Sequence, residues 1–265
     1  MNRIEQTFIK LNQKREKALV GFITAGDPDI QTSLAIILEM CKAGLDILEL
    51  GIPFSDPTSD GPVIQRSSLR ALNKGANLST IFELCATVRK HYDVPIVLFS
   101  YYNPMFVYGI TPFYHEAIQS GADGVLIVDL PPEESGELTQ GWPDDKLSII
   151  RLVAPTTPNE RMTQIVSAAS GFIYLVSKTG VTGSDGLQTS VIEQNVIKLK
   201  SLTQLPICVG FGISTVEQVR QVSELADGIV IGSAFERLIE TNLDDPNLPK
   251  LIGDQTAEFK KATLA

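Results

Sequence analysis

Short apolar runs alternate along the chain with longer segments in which apolar residues recur at helical spacing. The runs are rich in Val, Ile and Leu and are bounded by turn-forming residues, which predicts strands. The predicted strands are Ala18–Thr24, Ile47–Ile52, Pro95–Ser100, Gly124–Asp129, Ser148–Ala154, Phe172–Ser177, Pro206–Gly210 and Gly228–Gly232. The predicted helices include Ile30–Lys42, Thr80–His91, Thr111–Ser120, Asn159–Ala169, Ser190–Leu202 and Thr215–Leu225.

This alternation predicts the fold class. Strands that are apolar on both faces indicate a parallel sheet covered by helices. Eight such units in 265 residues favour an α/β fold of the closed (β/α)8 TIM-barrel type, with extra short helices, over an open doubly wound sheet. No GxGxxG motif follows the first strand, which weakens the open-sheet alternative. No linker or low-complexity run divides the chain, so residues 1–265 are expected to form one domain.

Composition narrows the function classes. The chain carries 22 Lys and Arg against 31 Asp and Glu, a net charge of −9, which argues against nucleic-acid binding because that requires a basic face. No apolar run approaches the roughly 20 residues of a membrane-spanning helix, and the N-terminus lacks a signal pattern, so a cytoplasmic protein without membrane contact is expected. Cys41, Cys85 and Cys208 lie far apart in apolar settings, which predicts packed thiols.

Glu49 is the first candidate for chemistry. Side chains alternate along a strand, so Leu48 and Leu50 should face the helices while Glu49 faces into the barrel. Burial would raise the pKa of this carboxyl group and suit it to general acid or base catalysis. On the strand alone, a buried carboxyl satisfied by backbone donors or a hydroxyl is an equally good interpretation.

Two other carboxylates follow predicted strands. Asp60 lies in the turn-rich loop after the second strand and is a second catalytic candidate, although an N-cap of a helix opened by Pro62 fits the local sequence at least as well. Asp129 ends the fourth strand on the face of Val125 and Ile127, and scaffolding is favoured there over proton transfer.

The later strands indicate an anion site. The seventh strand ends in Gly210-Phe211-Gly212 and the eighth in Gly232-Ser233, where barrels often bind phosphate at the N-terminus of a short helix. The loop from Lys178 to Thr189 contains a Gly180–Gly183 turn and resembles a mobile lid.

Aromatic residues near strand ends could accommodate a planar substrate, although for each of them taken singly a place in the barrel core is favoured. They are Phe22, Phe99, Tyr101, Tyr102 and Tyr174. His91 and His115 lie on helices away from the strand ends, and Trp142 lies in a polar connection, so none is assigned chemistry. No cluster has the spacing of metal ligands, which favours a reaction without a cofactor. Asp46, Asp123 and Asp227 each precede a strand and are expected to be turn or capping residues at the opposite end of the barrel.

Several motifs together resemble the tryptophan synthase alpha-subunit family over the whole chain. They are 22–28 (FITAGDP), 48–57 (LELGIPFSDP), 60–62 (DGP), 102–104 (YNP), 129–131 (DLP), 180–183 (GVTG) and 210–213 (GFGI). The resemblance implies a (β/α)8 barrel that cleaves indole-3-glycerol phosphate to indole and glyceraldehyde 3-phosphate by a retro-aldol reaction.

The resemblance also implies roles for individual residues. Glu49 would protonate the indole ring and then help to deprotonate the hydroxyl group that becomes the aldehyde. Asp60 would bind the indole N–H, and Thr182 would contact Asp60 when the lid closes. Phosphate would be bound by Gly183, Gly212, Gly232 and Ser233. Indole would pack among Phe22, Phe99, Tyr174 and Phe211.

The resemblance further implies a partner, a beta subunit that carries pyridoxal phosphate and receives indole in an α2β2 complex. Asp56, Pro57 and Asn103 are the expected contacts. Two departures from the family pattern stand out. Thr58-Ser59 replaces a common Leu-Ala and makes the loop more polar, and Lys178 replaces an Arg, keeping the charge but losing a planar set of donors.

Three alternatives remain at this level. The chain could be a free-standing lyase that releases indole rapidly without a beta subunit. It could be a regulatory subunit with little activity of its own, although Glu49 and Asp60 argue against that. A phosphate-sugar isomerase on the same fold would explain the anion site but would leave the aromatic residues unexplained.

Overall fold

The computed structural model describes residues 2–177 and 188–264. Eight strands within these residues pair in parallel and in chain order to form a closed barrel. They are β1 (Ala18–Thr24), β2 (Ile47–Gly51), β3 (Ile96–Ser100), β4 (Gly124–Ile127), β5 (Ser148–Val153), β6 (Ile173–Val176), β7 (Ile207–Gly210) and β8 (Gly228–Ile231). Pairing of β1 with β8, in the register Ala18 to Gly228, closes the ring and confirms the predicted TIM barrel.

Helices surround the barrel. They are α1 (Arg3–Lys14), α2 (Ile30–Lys42), α3 (Pro62–Asn73), α4 (Leu78–His91), α5 (Tyr102–Tyr108), α6 (Ile110–Ser120), α7 (Ser135–Thr139), α8 (Asn159–Ser167), α9 (Thr189–Leu202), α10 (Val216–Ser223), α11 (Ser233–Thr241) and α12 (Leu248–Ala262). A 3-10 turn, Pro132–Glu134, precedes α7. The predicted helix Ile30–Lys42 coincides with α2. The predicted helix Thr80–His91 starts two residues later than α4, which begins at Leu78 because the side chain of Asn77 caps the helix there.

The barrel interior and the helix layer form two separate apolar clusters. Residues of β2 show the division clearly, because Ile47 belongs to the interior cluster while Leu48 and Leu50 pack against the helices. This is the alternation predicted from the sequence. The interior is therefore filled with side chains below the level of Glu49.

Helix α1 closes the amino-terminal end of the barrel. Ile4, Phe8 and Leu11 are spaced as one helix face and join the interior cluster. Asn2 caps the helix by accepting a hydrogen bond from the backbone N–H of Glu5 at 3.0 Å. The predicted helices did not include this segment, although the 4–8–11 spacing was a usable signal.

The three aspartates that precede strands lie at this same end. Each accepts a hydrogen bond from a backbone N–H group in the first two residues of the preceding strand. The pairs are Asp46 with Leu19 at 2.7 Å, Asp123 with Ile96 at 2.9 Å and Asp227 with Ile207 at 3.0 Å. Their structural role was predicted, and they join neighbouring strands away from the carboxyl ends.

Candidate active site

A cavity of about 690 Å³ opens at the carboxyl ends of the strands. In TIM barrels this end carries the active site, because the loops that follow the strands converge there. The lining residues within the described ranges are Phe22, Glu49, Ser59, Asp60, Gly61, Pro62, Val63, Ile64, Phe99, Val128, Leu152, Ala154, Thr157, Tyr174, Val176, Phe211, Gly212, Ile213, Val230, Gly232, Ser233 and Arg237. Most of these side chains are apolar, so the cavity suits a ligand with a large apolar part.

Glu49 projects from β2 into the deep end of this cavity and is only 1% exposed. Among the described residues, its Oε1 has no hydrogen-bond partner. Burial raises the pKa of the carboxyl group to about 8, since an ionised carboxylate is poorly solvated there. No described neighbour therefore satisfies Oε1, and the raised pKa suits the carboxyl group to hold a proton near neutral pH.

Asp60 lies in the loop between β2 and α3 and lines the same cavity. Its Oδ2 accepts a hydrogen bond of 3.1 Å from the hydroxyl group of Tyr101. Burial raises the pKa of Asp60 to about 6, and the hydrogen bond from Tyr101 opposes this increase. The N-cap interpretation of Asp60 is wrong, because Gly61 occupies the N-cap position of α3 and no side chain caps that helix.

Two pairs of aromatic rings line the cavity. Phe22 and Phe99 meet edge to face with 5.2 Å between ring centroids, and Tyr174 and Phe211 do so at 5.8 Å. Tyr174 lies so close to the end of β7 that a Cβ atom on Gly210 would approach its hydroxyl oxygen to 2.2 Å. Phe22, Phe99 and Tyr174 are therefore held by close packing at the strand ends, while Phe211 is 39% exposed at the cavity wall.

Tyr101 takes a different position from the other aromatic candidates. Its ring packs on Phe54 at 5.3 Å, and its hydroxyl contacts Asp60 beside a small side void, outside the lining of the main cavity. The structure thus places Tyr101 where it supports Asp60. Tyr102, also considered from the sequence, begins α5 and is not among the lining residues.

Glycines and a helix N-terminus form the other end of the cavity. Gly212 has a φ of 76°, a conformation that favours glycine, and follows Phe211, which adopts the same φ. Gly232 precedes α11, and no side chain caps this helix, so the first backbone N–H groups from Ser233 onward are available to a ligand. Such an arrangement binds anions. Thr182 and Gly183, predicted to contribute, lie outside the described residues, as do Lys178 and the predicted lid.

Asp129 does not reach the cavity. The predicted strand continued to Asp129, but β4 ends at Ile127, and Leu126 rather than Val125 belongs to the interior cluster. Asp129 instead accepts a hydrogen bond of 2.7 Å from the backbone N–H of Tyr102, at the start of α5. The scaffolding interpretation of Asp129 agrees with this contact.

Sequence reasoning missed part of the cavity wall. Leu152, Ala154 and Thr157 come from β5 and the turn after it, and Arg237 comes from α11. Alternation along β5 could have identified Leu152 and Ala154 as inward-facing. Arg237 follows Ser233 by four residues, the spacing of one helix face, which was a signal for its position.

The remaining candidates lie away from the cavity. His91 ends α4 and His115 lies on α6, and neither lines the cavity. Trp142 lies in a segment that was predicted to be polar, but its ring packs on Tyr114 with 4.9 Å between ring centroids. Within residues 2–177 and 188–264, no group of three His, Cys, Asp or Glu side chains is arranged to hold a metal ion. In the same ranges, no helix has the length and apolar character needed to cross a membrane.

A family model and the sequence relatives described here point to the same protein family. The family model described as tryptophan synthase alpha chain matches residues 8–263. The tryptophan synthase alpha chain of Desulfosudis oleivorans is 60% identical over 263 residues, covering 99% of both chains. That of Desulfatibacillum aliphaticivorans is 58% identical with the same coverage.

Solved structures agree with the sequence relatives. The crystal structure of tryptophan synthase subunit alpha from Legionella pneumophila matches with a TM-score of 0.91 at 37% identity, covering 99% of this chain and 98% of that one. A structure of Mycobacterium tuberculosis tryptophan synthase matches with a TM-score of 0.91 at 29% identity, and the match covers 100% of this chain and 99% of that one. The chain therefore belongs to the tryptophan synthase alpha chain family, the lyases that cleave indole-3-glycerol phosphate in tryptophan biosynthesis.

Proposed function

We propose that Glu49 and Asp60 together carry out the retro-aldol cleavage of indole-3-glycerol phosphate in this chain. The observation that supports this most strongly is the Glu49 carboxyl group, which is buried, has an unpartnered Oε1 and lines the cavity that also contains Asp60. With pKa values raised to about 8 and about 6, Glu49 is protonated and Asp60 is ionised near pH 7. Two carboxyl groups with separated pKa values can divide acid and base roles.

The reaction follows from these protonation states. Glu49 donates its proton to the indole ring carbon that bears the side chain, while the Asp60 carboxylate accepts a hydrogen bond from the ring N–H and stabilises the positive charge. The bond between that ring carbon and the side chain then breaks, and its electrons restore the aromatic ring. The side-chain hydroxyl group gives its proton to Glu49 and becomes the aldehyde, so the enzyme ends in its starting state.

The two ends of the cavity would hold the two halves of the substrate. Indole fits the slot formed by Phe22, Phe99, Tyr174 and Phe211, whose rings supply apolar surface. The phosphate group fits the backbone N–H groups at Gly212, Gly232 and Ser233. Thr182 and Gly183 are proposed to complete the site from the loop outside the described residues.

We also propose a beta-subunit partner that holds the pyridoxal phosphate, in an α2β2 assembly. Helix α5 supports this, because Phe106 and Val107 are 62% and 77% exposed on a helix that directly follows Tyr101, the partner of Asp60. Exposed apolar side chains of this size are typical of an interaction surface. Asn103, on this helix, and Asp56, in the loop after β2, are exposed, while Pro57 is half-buried.

We propose a cytoplasmic location as well. All three cysteines are free thiols, which supports this location because disulfides form in oxidising compartments.

The test is the rate of indole release from indole-3-glycerol phosphate by the purified chain, alone and with a beta subunit added. Slow release that rises strongly with beta supports the proposed subunit. Rapid release that beta does not change would favour a free-standing lyase. No indole under either condition would exclude the proposed reaction and favour a regulatory subunit.

A further inference from the structure

The cavity has an unusual charge distribution for a site that must admit a phosphate dianion. Among the described lining residues, Glu49 and Asp60 are the acidic groups and Arg237 is the one basic group. The whole chain carries a net charge of −9, which repels an anionic substrate at long range. Local positive potential is needed, and beyond backbone N–H groups Arg237 is the described lining group that supplies it.

Arg237 is well placed for this task. It lies on α11, one turn after Ser233, and both residues line the cavity. A second helix, α3, also begins at the cavity wall without a side-chain cap, and its first residues Pro62 and Val63 line the same space. The cavity that Arg237 lines is therefore also lined by two uncapped helix N-termini, whose partial positive charges add to that of its guanidinium group.

Arg237 is also free to bind a ligand. Within residues 2–177 and 188–264, no hydrogen bond or ion pair engages its guanidinium group. The neighbouring acids on α11 are occupied elsewhere. Glu236 is buried and accepts a hydrogen bond of 2.6 Å from the backbone N–H of Thr24, while Glu240 binds Arg66 and Arg70. Among the described residues Arg237 thus has no counter-ion, which leaves its N–H donors available to an anion that enters the cavity.

We propose that Arg237 binds the phosphate group of the substrate and makes the site selective for phosphorylated over unphosphorylated indole-3-glycerol. This inference rests on the proposed function and adds a residue to it. The planar fork of N–H donors matches phosphate oxygens, and the exposed position of Arg237 lets it meet the anion on entry. Because Glu49 is buried on β2 while Arg237 is exposed on α11, Arg237 should act on binding and leave the chemical step unchanged.

The test compares Arg237→Met with Arg220→Met, which removes another exposed arginine, on α10, that is paired with Glu217 outside the cavity. Arg237→Met should raise KM for indole-3-glycerol phosphate about tenfold, the scale of one charge-assisted hydrogen bond at a partly exposed site, with kcat within about twofold. Cleavage of unphosphorylated indole-3-glycerol should not change. Arg237→Lys should fall between wild type and Arg237→Met, and Arg220→Met should match wild type.

Binding of glyceraldehyde 3-phosphate and of inorganic phosphate, measured by calorimetry, separates this inference from the proposed reaction. Arg237→Met should weaken both by a similar factor, and the loss should shrink at high ionic strength. Equal affinities in Arg237→Met and Arg220→Met would overturn the assignment even if wild type cleaves the substrate. A fall in kcat without a change in KM would also overturn it. If wild type releases no indole, the binding comparison still decides the role of Arg237.

Discussion

The hydroxyl group of Tyr101 joins the end of β3 to the loop that carries Asp60. It donates a hydrogen bond of 3.1 Å to Oδ2 of Asp60 and accepts one of 2.9 Å from the backbone N–H of Ser59. A hydrogen bond to the ionised form of a carboxyl group favours that form. Tyr101 therefore holds the pKa of Asp60 below the value that burial alone would give, and it fixes the loop at the same time.

Replacing Tyr101 with Phe should move the acidic limb of the pH profile. Without the hydroxyl donor, the pKa of Asp60 rises above about 6, so Asp60 is protonated, and activity lost, at a higher pH than in wild type. The measurement is kcat/KM for indole release between pH 5 and 9. Tyr108→Phe is the matched control, since its hydroxyl group binds Glu116 on α6 away from the cavity. An acidic limb that stays in place would show that Tyr101 does not act on Asp60.

Replacing Glu49 with Gln should abolish cleavage. The amide keeps the size of the side chain but has no acidic proton, so turnover should fall at least about a thousandfold. In wild type, kcat should decline as the pH rises through about 8, because the carboxyl group then loses the proton it must donate. Glyceraldehyde 3-phosphate should still bind, which calorimetry would check. Normal turnover in the variant would exclude Glu49 as the proton donor.

The same substitution should stabilise the protein in alkaline solution. The pKa of Glu49 rises from its ordinary 4.5 to about 8 on folding, so between these values the native state binds more protons than the unfolded state. The contribution of Glu49 to stability is therefore full below pH 4.5 and is lost as the pH rises towards 8. A neutral amide removes this loss, and the Tm advantage of Glu49→Gln should be larger at pH 8.5 than at pH 5. Glu258→Gln, at an exposed position on α12, should show no such trend.

The alternation of side chains made much of the site predictable. On β2, a period of two placed Glu49 inward and its leucine neighbours outward, and burial then accounted for the raised pKa. The glycines after β7 and β8 could be recognised because the ends of successive barrel strands converge. These inferences needed only local sequence and the closure of the barrel.

Other features depended on contacts between distant segments. The sequence around Asp60 allowed either a helix cap or a catalytic group, and the choice depends on Tyr101, 41 residues away, and on Gly61 taking the cap. Asp129 was predicted to end the fourth strand, but β4 ends at Ile127, and Asp129 instead binds the backbone N–H of Tyr102 from another segment. Arg237 was overlooked because its freedom from ion pairs depends on which partners Glu240 finds on α3.

A buried ion pair between Arg70 and Asp27 gives a final prediction. Arg70 on α3 donates hydrogen bonds of 2.8 and 2.7 Å to the two carboxylate oxygens of Asp27, which is fully buried. Glu236 is buried beside them, and its pKa is raised first by burial and then by the charge of Asp27. Replacing Arg70 with Met would leave two buried carboxyl groups without their shared cation, a defect that costs about 3 kcal/mol.

For a chain of this size, that loss corresponds to a Tm lower by about 6 to 12 °C, measurable by circular dichroism at pH 7. Arg66→Met is the matched control on the same helix. Arg66 binds Glu240 at 2.5 Å, but its side chain is 52% exposed, so solvent replaces the pair and little change is expected. If both variants melted at the wild-type temperature, water or a shared proton would have to stabilise Asp27 and Glu236 without Arg70. If Arg66→Met lowered the Tm more than Arg70→Met, the contact between α3 and α11 would depend on the exposed Arg66–Glu240 pair.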